Sequence, residues 1–475
     1  MCQITVFLRR YEIAIVGALL LIVGIARFSI YLASETIGVS SVMVGDSADY
    51  DGCARSILTK GYFARFPERP YKPEWSRTPG YPLFIAFMYW VGAVHYAPLI
   101  FVQVCMSILT LWGVYFFSRY FFGIFVGYGA LLLALFDIPS HIFSVHMTTE
   151  TLFTLLMMGV YFFGSYILVK NKHQLSGGFL TGFLLACATL VRPISYFLVY
   201  ILPFLFIVFG YLKHWPRKMI AGVFACMIVP GFILVGGWQL RNYCVVGTFE
   251  FSSIKNFSIV YSKIVDMVQR REHINYQDAT QRVIAMVPDR PQLPSIEENR
   301  RYGKFIRDFI PRHPVLFFQS SLYALVKLLF IPGEYGFLYH MGVPYKGTDA
   351  YTKGPMGDLV RLSPSAYIQK WVKTYPGRFT VSLVAMGGVI ALYLGCILAL
   401  WNIIFYDRAR WDMHLFLMLV VSYLIVATIS VSMSSGPRFR IPLMPVFLAY
   451  SAWGWCGVGR FIRQVSAMIK KTHFD

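Results

Sequence analysis

The sequence predicts an all-α polytopic membrane protein of about ten transmembrane helices, twelve at most, with large loops on one side. Three observations carry that expectation. Of the 475 residues, 57% are hydrophobic and only 14% charged, and the mean hydropathy is +0.57. Soluble domains carry roughly a quarter charged residues. Apolar runs of bilayer-spanning length recur along the chain, and the basic residues gather in the short stretches between them. Lys and Arg outnumber Asp and Glu by 43 to 23, a formal charge of +20. In a membrane protein such an excess collects in cytoplasmic loops. No basic run is long enough to form a nucleic-acid groove.

The first span covers about 12–33, behind Arg9 and Arg10, which places the N-terminus in the cytoplasm. The run is too long for the apolar region of a signal peptide and has no small-residue cleavage site. Arg27 lies near its outer end, within reach of the interface by snorkelling. The next spans are expected at about 97–118, 121–138, 146–169, 177–191, 194–212 and 219–238. Segment 80–95 is read as dipping into the outer interface without crossing. Only then do Arg119, Lys170, Lys172, Lys213, Arg217 and Lys218 all face the cytoplasm. The last spans fall at about 379–404, 412–432 and 440–460, with Asp407 to Arg410 in the inner loop between the first two. Arg460, Arg463, Lys470 and Lys471 put the C-terminus in the cytoplasm as well. Segment 314–332 has both flanks outside and Lys327 at its middle, so it reads as an interfacial or re-entrant helix. The chain thus divides into a membrane module at 1–238, with a first outer loop at 34–96, a second outer region at 239–378, and C-terminal spans with a tail at 379–475.

This topology gathers acids and arginines on one face. Asp46, Asp49, Tyr50 and Arg77 come from the first loop, GDSADYDGCARSILTKGYF through SRTPGYP. Glu150 opens a span, Arg192 and Arg241 stand at outer helix junctions, and Arg438 and Arg440 fill the loop before the last span. Charges so close to hydrocarbon are costly and tend to be functional. Each also has a plainer reading. Asp46 or Ser47 suits an N-cap with Asp49 near the capping-box position. Glu150 suits the first turn of a helix dipole. Arg192 and Arg241 suit interfacial anchors. The eight cysteines show no zinc spacing. Cys53 and Cys244 share the outer side, which leaves a disulfide between them open.

GDSADY, CARSILTKGYF and SRTPGYPLFIAF resemble the first-loop signature of the GT-C superfamily, and PRFRIPLMPVFLAYSAWG resembles its later segment. TTETLF, TLVRP and WQLRNYCVVGTF follow in the same order. The likeness is to the family 39 group, with its protein O-mannosyltransferases and lipid A aminoarabinose transferase. It implies a GT-C fold and an integral-membrane glycosyltransferase that takes sugar from a polyprenyl-phosphate donor. The acceptor would be an envelope glycan, lipid or protein, reached at the outer face of the inner (plasma) membrane. It also implies that Asp46 is the catalytic base and that Glu150 is the second acidic position. Ser76-Arg77-Thr78-Pro79 stands where the aminoarabinose group has an acidic-Lys-Pro-Pro turn, a departure that touches both sugar and metal site.

The residue types suit such chemistry. A leaving phosphate gains negative charge, which fixed cations stabilise, and arginine is permanently charged and bidentate. The arginines expected at the phosphate are Arg77, Arg438 and Arg440, with Arg192 and Arg241 behind them, and Tyr50 and Asp49 beside the substrate. The attacking hydroxyl needs one carboxylate in reach. One such carboxylate suffices for a single inverting displacement. Whether a divalent cation binds near Asp46 and Glu150 stays open. The competing reading is a flippase or transporter of lipid-linked saccharides, which calls for inverted repeats and mid-span charges.

Overall fold

The computed structural model describes residues 10–68, 71–92, 94–170, 172–287, 295–333, 363–374, 376–431 and 436–472. Most of the polar stretch expected at 333–378 lies outside them. Helices make up the described chain, and nine are long and apolar enough to cross a membrane. They are α1 (Glu12–Ile37), α4 (Tyr96–Phe122), α7 (Glu150–Lys170), α8 (Gln174–Val191), α9 (Tyr196–Leu212, extended by Pro193–Ser195), α10 (Arg217–Val246), α15 (Pro376–Tyr406), α16 (Trp411–Val431) and α17 (Met444–Thr472). Between them stand α2 (Ser47–Lys60), α3 (Gly80–Gly92), α5 (Ile124–Ala134), α6 (Ile138–Phe143), α11 (Val265–Glu272), α12 (Tyr276–Met286), α13 (Ile296–Phe309) and α14 (Pro314–Phe330).

A tenth passage is made in pieces. At one end of the molecule, Arg119 of α4 pairs with Glu12 at 2.6 Å. At the other, the Met147 amide donates to the Val42 carbonyl at 2.9 Å. The chain between Arg119 and Met147 therefore runs the length of α1, as α5 and α6 with a break at 135–137. The sequence predicts one continuous span at 121–138. Pro139, in the first turn of α6, cannot continue a helix from α5, and the break falls just ahead of it.

Segment 80–92 behaves as expected of a non-crossing helix. Its 13 residues rise only about 20 Å, short of the roughly 30 Å hydrocarbon core. Tyr81, Ile85 and Tyr89 face the protein while Leu83, Phe87 and Trp90 face outward. Helices α13 and α14 meet at a 100° bend, in keeping with an interfacial or re-entrant pair.

The basic connections collect at the end opposite Met147. Lys213 donates to Asp412 at 2.5 Å and to the Leu168 carbonyl at 2.6 Å, and Arg410 holds the Phe121 carbonyl. A single apolar core runs through the span bundle. A second, smaller core built on Val260, Ile264, Val268, Val283 and Tyr302 supports a cap formed by residues 254–286 and α13.

Arg27 is buried rather than snorkelling. It is 2% exposed and its Nε donates to His141 Nδ1 at 3.2 Å. The break after α5 brings His141 and Asp137 to α1, so Arg27 has polar partners inside the bundle and no reason to reach the interface.

Candidate active site

The first loop is built around one buried carboxylate that sequence reasoning passed over. Glu74 is 1% exposed. Its Oε2 accepts from Arg65 Nε at 2.8 Å, and its Oε1 accepts from the amides of Ser76 (2.5 Å) and Arg77 (3.0 Å). Those bonds set the turn that aims the Arg77 side chain back at α2. The signal was its position three residues ahead of Arg77, which an exposed loop acid would share. Gly80 then lies flat against α8, where a Cβ would meet Leu190 and Val191 backbone at 2.7 Å. That close approach, with the Thr78 hydroxyl donating to the Val191 carbonyl at 3.3 Å, brings Arg77 and Arg192 to one place.

Arg77 donates from Nη2 to Asp46 at 2.7 Å and from Nε and Nη2 to Asp49 at 3.1 and 2.7 Å. Its guanidinium stacks over Tyr50, 5.4 Å from the ring centre. Asp46 stands at the N-cap position of α2 but makes no side-chain capping bond. The helix start is held instead by Ser47, whose hydroxyl donates to the Met147 carbonyl at 2.7 Å and accepts from the Val44 amide at 3.0 Å. Asp46 is thereby left to the site. Asp51 points away, to Arg55 at 2.8 Å and Tyr89 at 2.6 Å.

Arg438, on the 3₁₀ turn Pro437–Leu443, reaches Asp46 at 3.8 Å and holds Glu150 with its Nε. Gly45, beside it, supplies the backbone turn. Its φ of +55° is left-handed, and a Cβ there would stand 3.7 Å from Arg438 Nη1. Arg192 meets Glu150 at 2.8 Å and lies over Phe439, 4.7 Å from the ring centre. The result is a chain of alternating charges, Asp49, Arg77, Asp46, Arg438, Glu150 and Arg192, drawn from five stretches of sequence.

Its members differ in access. Asp46, Tyr50, Arg77, Arg192 and Arg438 line a cavity of about 2640 Å³. The Asp46 side chain is 39% exposed, whereas that of Glu150 is fully buried behind the two arginines it joins. Burial works to raise the Asp46 pKa, but the Arg77 and Arg438 charges outweigh it and hold the carboxyl below its ordinary value. Burial likewise works to lower the Arg77 pKa, and Asp46, with Tyr50 and Asp49, overrides it to raise it. Both groups are ionised at neutral pH.

Two expected members stand elsewhere. Arg241 donates to the Glu74 carbonyl at 2.7 Å and packs over Trp238, 4.8 Å from the ring centre, so it braces the back of the first loop. Arg440 is 2% exposed and turned into the bundle, where it holds the Leu329 carbonyl. Two residues along the 3₁₀ turn from Arg438, it points to the opposite side. Cys53 and Cys244 are both free. Among the described residues no group of three or more His, Cys, Asp or Glu side chains is gathered for a metal ion. Asp46 Oδ1, Asp49 Oδ2 and Glu150 Oε1 each pair with a guanidinium, so a divalent cation held by those oxygens would have to displace arginines.

From the polar end, an apolar arm of the cavity runs between α9 and α16, lined by Phe197, Ile201 and Leu205 on one side and Leu419, Tyr423 and Val426 on the other. The Tyr423 hydroxyl bonds the Ile194 carbonyl at 2.9 Å near its mouth, and Phe206 meets Phe416 edge to face at its deep end.

The profile of the dolichyl-phosphate-mannose-protein mannosyltransferase family matches residues 76–238. No curated protein matches the sequence. Among solved structures, the chain is similar to the archaeal oligosaccharyltransferase AglB from Archaeoglobus fulgidus in complex with an inhibitory peptide and a dolichol-phosphate. That likeness has a TM-score of 0.52 at 14% identity and covers 98% of this chain and 52% of that one. The apo form of the Archaeoglobus fulgidus oligosaccharyltransferase gives 0.51 at 14% identity, over 96% and 52%. ArnT from Cupriavidus metallidurans gives 0.36 at 13% identity, over 94% and 78%, too slight to compare the folds element by element. The chain spans about half the length of the oligosaccharyltransferase chains it matches. It has the GT-C fold of polytopic membrane glycosyltransferases.

Proposed function

We propose that this protein transfers a sugar from a polyprenyl-phosphate donor to an acceptor hydroxyl, with inversion, on the outer face of the plasma membrane. The observation that carries the reading is the form of the cavity. Its polar end holds one accessible carboxylate, Asp46, among Arg77, Arg192 and Arg438, and its apolar arm lies between two membrane spans. A phosphate with a long hydrocarbon tail matches both ends at once. The dolichol-phosphate named in the AglB complex is a ligand of that class.

In this reading the donor phosphate takes up donors of Arg438, Arg192 and Arg77. Asp46 accepts the proton of the acceptor hydroxyl as its oxygen bonds to the anomeric carbon. The bond from that carbon to the phosphate oxygen breaks, and the electron pair leaves on the phosphate, where the arginines stabilise it. Phosphate binding also draws guanidinium charge away from Asp46, which makes the carboxylate a stronger base once the donor is in place. Glu150 holds Arg192 and Arg438 in position and touches neither substrate. A retaining route needs a second carboxylate beside Asp46 in the cavity, and neither Asp49 nor Glu150 lines it. Orientation follows from the clustering of Arg119, Lys213 and Arg410 at the opposite end, the cytoplasmic end by the positive-inside bias. Both termini are then cytoplasmic.

The test is release of polyprenyl phosphate from polyprenyl-phosphate sugars by the purified protein in detergent, with wild type and Asp46→Asn side by side. Flipping of the intact lipid without cleavage, unchanged by the substitution, would replace this reading with that of a transporter.

A further inference from the structure

The cavity has a second polar wall that the proposed transfer does not use. Small-molecule sites are roughly 300–1,000 Å³, so about 2640 Å³ leaves room for two substrates. The cap and α14 contribute Lys255, Arg270, Arg307 and Lys327 to the lining. Among the described residues of that wall the carboxylates are Asp266 and Glu250. Asp266 is engaged by Arg270 at 2.8 Å, and Glu250 accepts from Asn299 at 2.7 Å. Arg270 is also held in place by stacking over Tyr323, 4.3 Å from the ring centre. Just behind, the buried Lys263 ammonium donates to the Ile429 carbonyl at 2.8 Å. Burial, with Arg270 nearby, pushes its pKa down to about 8 despite Asp266. At the Asp46 end every cation that lines the cavity has a carboxylate of its own. On this wall, among the described residues, Lys255, Arg270 and Arg307 outnumber Asp266 and Glu250.

We propose that the acceptor carries an anionic group, phosphate or carboxylate, and that Lys255, Arg270, Arg307 and Lys327 bind it. The proposal rests on the transferase reading for its word "acceptor". The donor has one phosphate, and the Asp46 end and the apolar arm accommodate its two parts. An anion drawn to the cap wall therefore belongs to the second substrate. Arginine and lysine gathered in a cavity favour a charged partner over a neutral one of the same shape.

The full chain in nanodiscs, saturated with undecaprenyl phosphate, is offered two pairs of probes, with bound stoichiometry read by native mass spectrometry. Phosphatidic acid and diacylglycerol form the lipid pair, and glucuronate and glucose the soluble pair. One equivalent of an anionic probe is expected beyond the undecaprenyl phosphate, favoured about tenfold or more over its neutral partner. The pair that shows the preference tells whether the anion is membrane-borne or soluble. Lys255→Gln/Arg307→Gln and Arg270→Gln/Lys327→Gln should each lose that preference while keeping undecaprenyl phosphate. Arg270 braces Asp266, so the first variant is decisive if the second does not fold. Equal binding of anionic and neutral probes in both pairs, or undiminished preference in the variants, overturns the proposal. Failure of undecaprenyl phosphate to bind would instead overturn the transferase reading, and the cap-wall variants would still decide the anion preference.

Discussion

Arg438 and Arg440 sit on the same 3₁₀ turn and serve two different charge clusters. Arg438 faces the cavity and shares Asp46 and Glu150. Arg440 is turned inward, toward the region where Arg27, Asp137 and His141 are buried among the spans. The first cluster is open to ligand, and its charges can exchange partners. The second is closed, and its charges can only be satisfied or left orphaned. In a membrane protein, then, an arginine near the interface is not yet a site residue. Access to a cavity separates the two kinds, and substitutions should separate them as well.

The largest effect is expected at Asp46. Asp46→Asn should lower turnover by about 10²–10⁴ while the protein stays folded and loses only the modest stability of the Arg77 and Arg438 pairs, because an amide cannot take a proton and the position makes no capping bond. A stable, near-normal variant would remove Asp46 from the chemistry. Next, Arg438→Gln should cost about 2–4 kcal/mol of transition-state stabilisation, read as kcat/KM, at an almost normal melting temperature. Arg440→Gln should do the reverse, destabilising the fold by about 3–5 kcal/mol as buried charge loses compensation while the surviving protein keeps its turnover. Equal behaviour of the two arginines would erase the distinction.

Glu150→Gln should act more mildly, raising KM for the donor several-fold more than it lowers kcat, since in the proposed reaction it only holds Arg192 and Arg438 and does not touch the reacting atoms. Steady-state kinetics at varied donor concentration check this, and a loss confined to kcat would return Glu150 to the chemistry. The smallest effect is in pH. Asp46 has a folded-state pKa below its ordinary value of about 3.8–3.9, so the stability it contributes is present above that value and is lost as pH falls through the folded pKa. The acid limb of kcat/KM, which reports the free enzyme, should accordingly lie below about pH 4. In Arg438→Gln it should move upward.

Hydropathy and the distribution of basic residues carry most of the fold, because both are written residue by residue along the chain. The helix at 80–92, too short to cross by itself, was set apart for the same reason: only one placement put the basic loops together. The break at 135–137 was not, since Leu, Phe and Ile on either side keep the hydropathy high through a backbone that has stopped being helical. Within the site, Asp46, Arg77, Arg192 and Arg438 converge as the topology implies. What topology cannot convey is the direction of a side chain. A two-residue step on a 3₁₀ turn sends Arg440 away, and Arg241, at the right height, is spent on the carbonyl of Glu74. Glu74 itself is distinguished by burial, which one sequence does not display.

The broken passage has a consequence for how the protein is made. An 11-residue helix followed by an unwound turn is a poor substrate for insertion into lipid by itself, because its freed backbone groups each cost several kcal/mol in hydrocarbon. The turn is covered by late arrivals. Phe136 packs on Gly388 of α15, and Gly129 packs on Ala452 of α17. Nascent chains that end before residue 376 would hold α4 and α5 as a hairpin with an exposed seam, vulnerable to quality-control proteolysis.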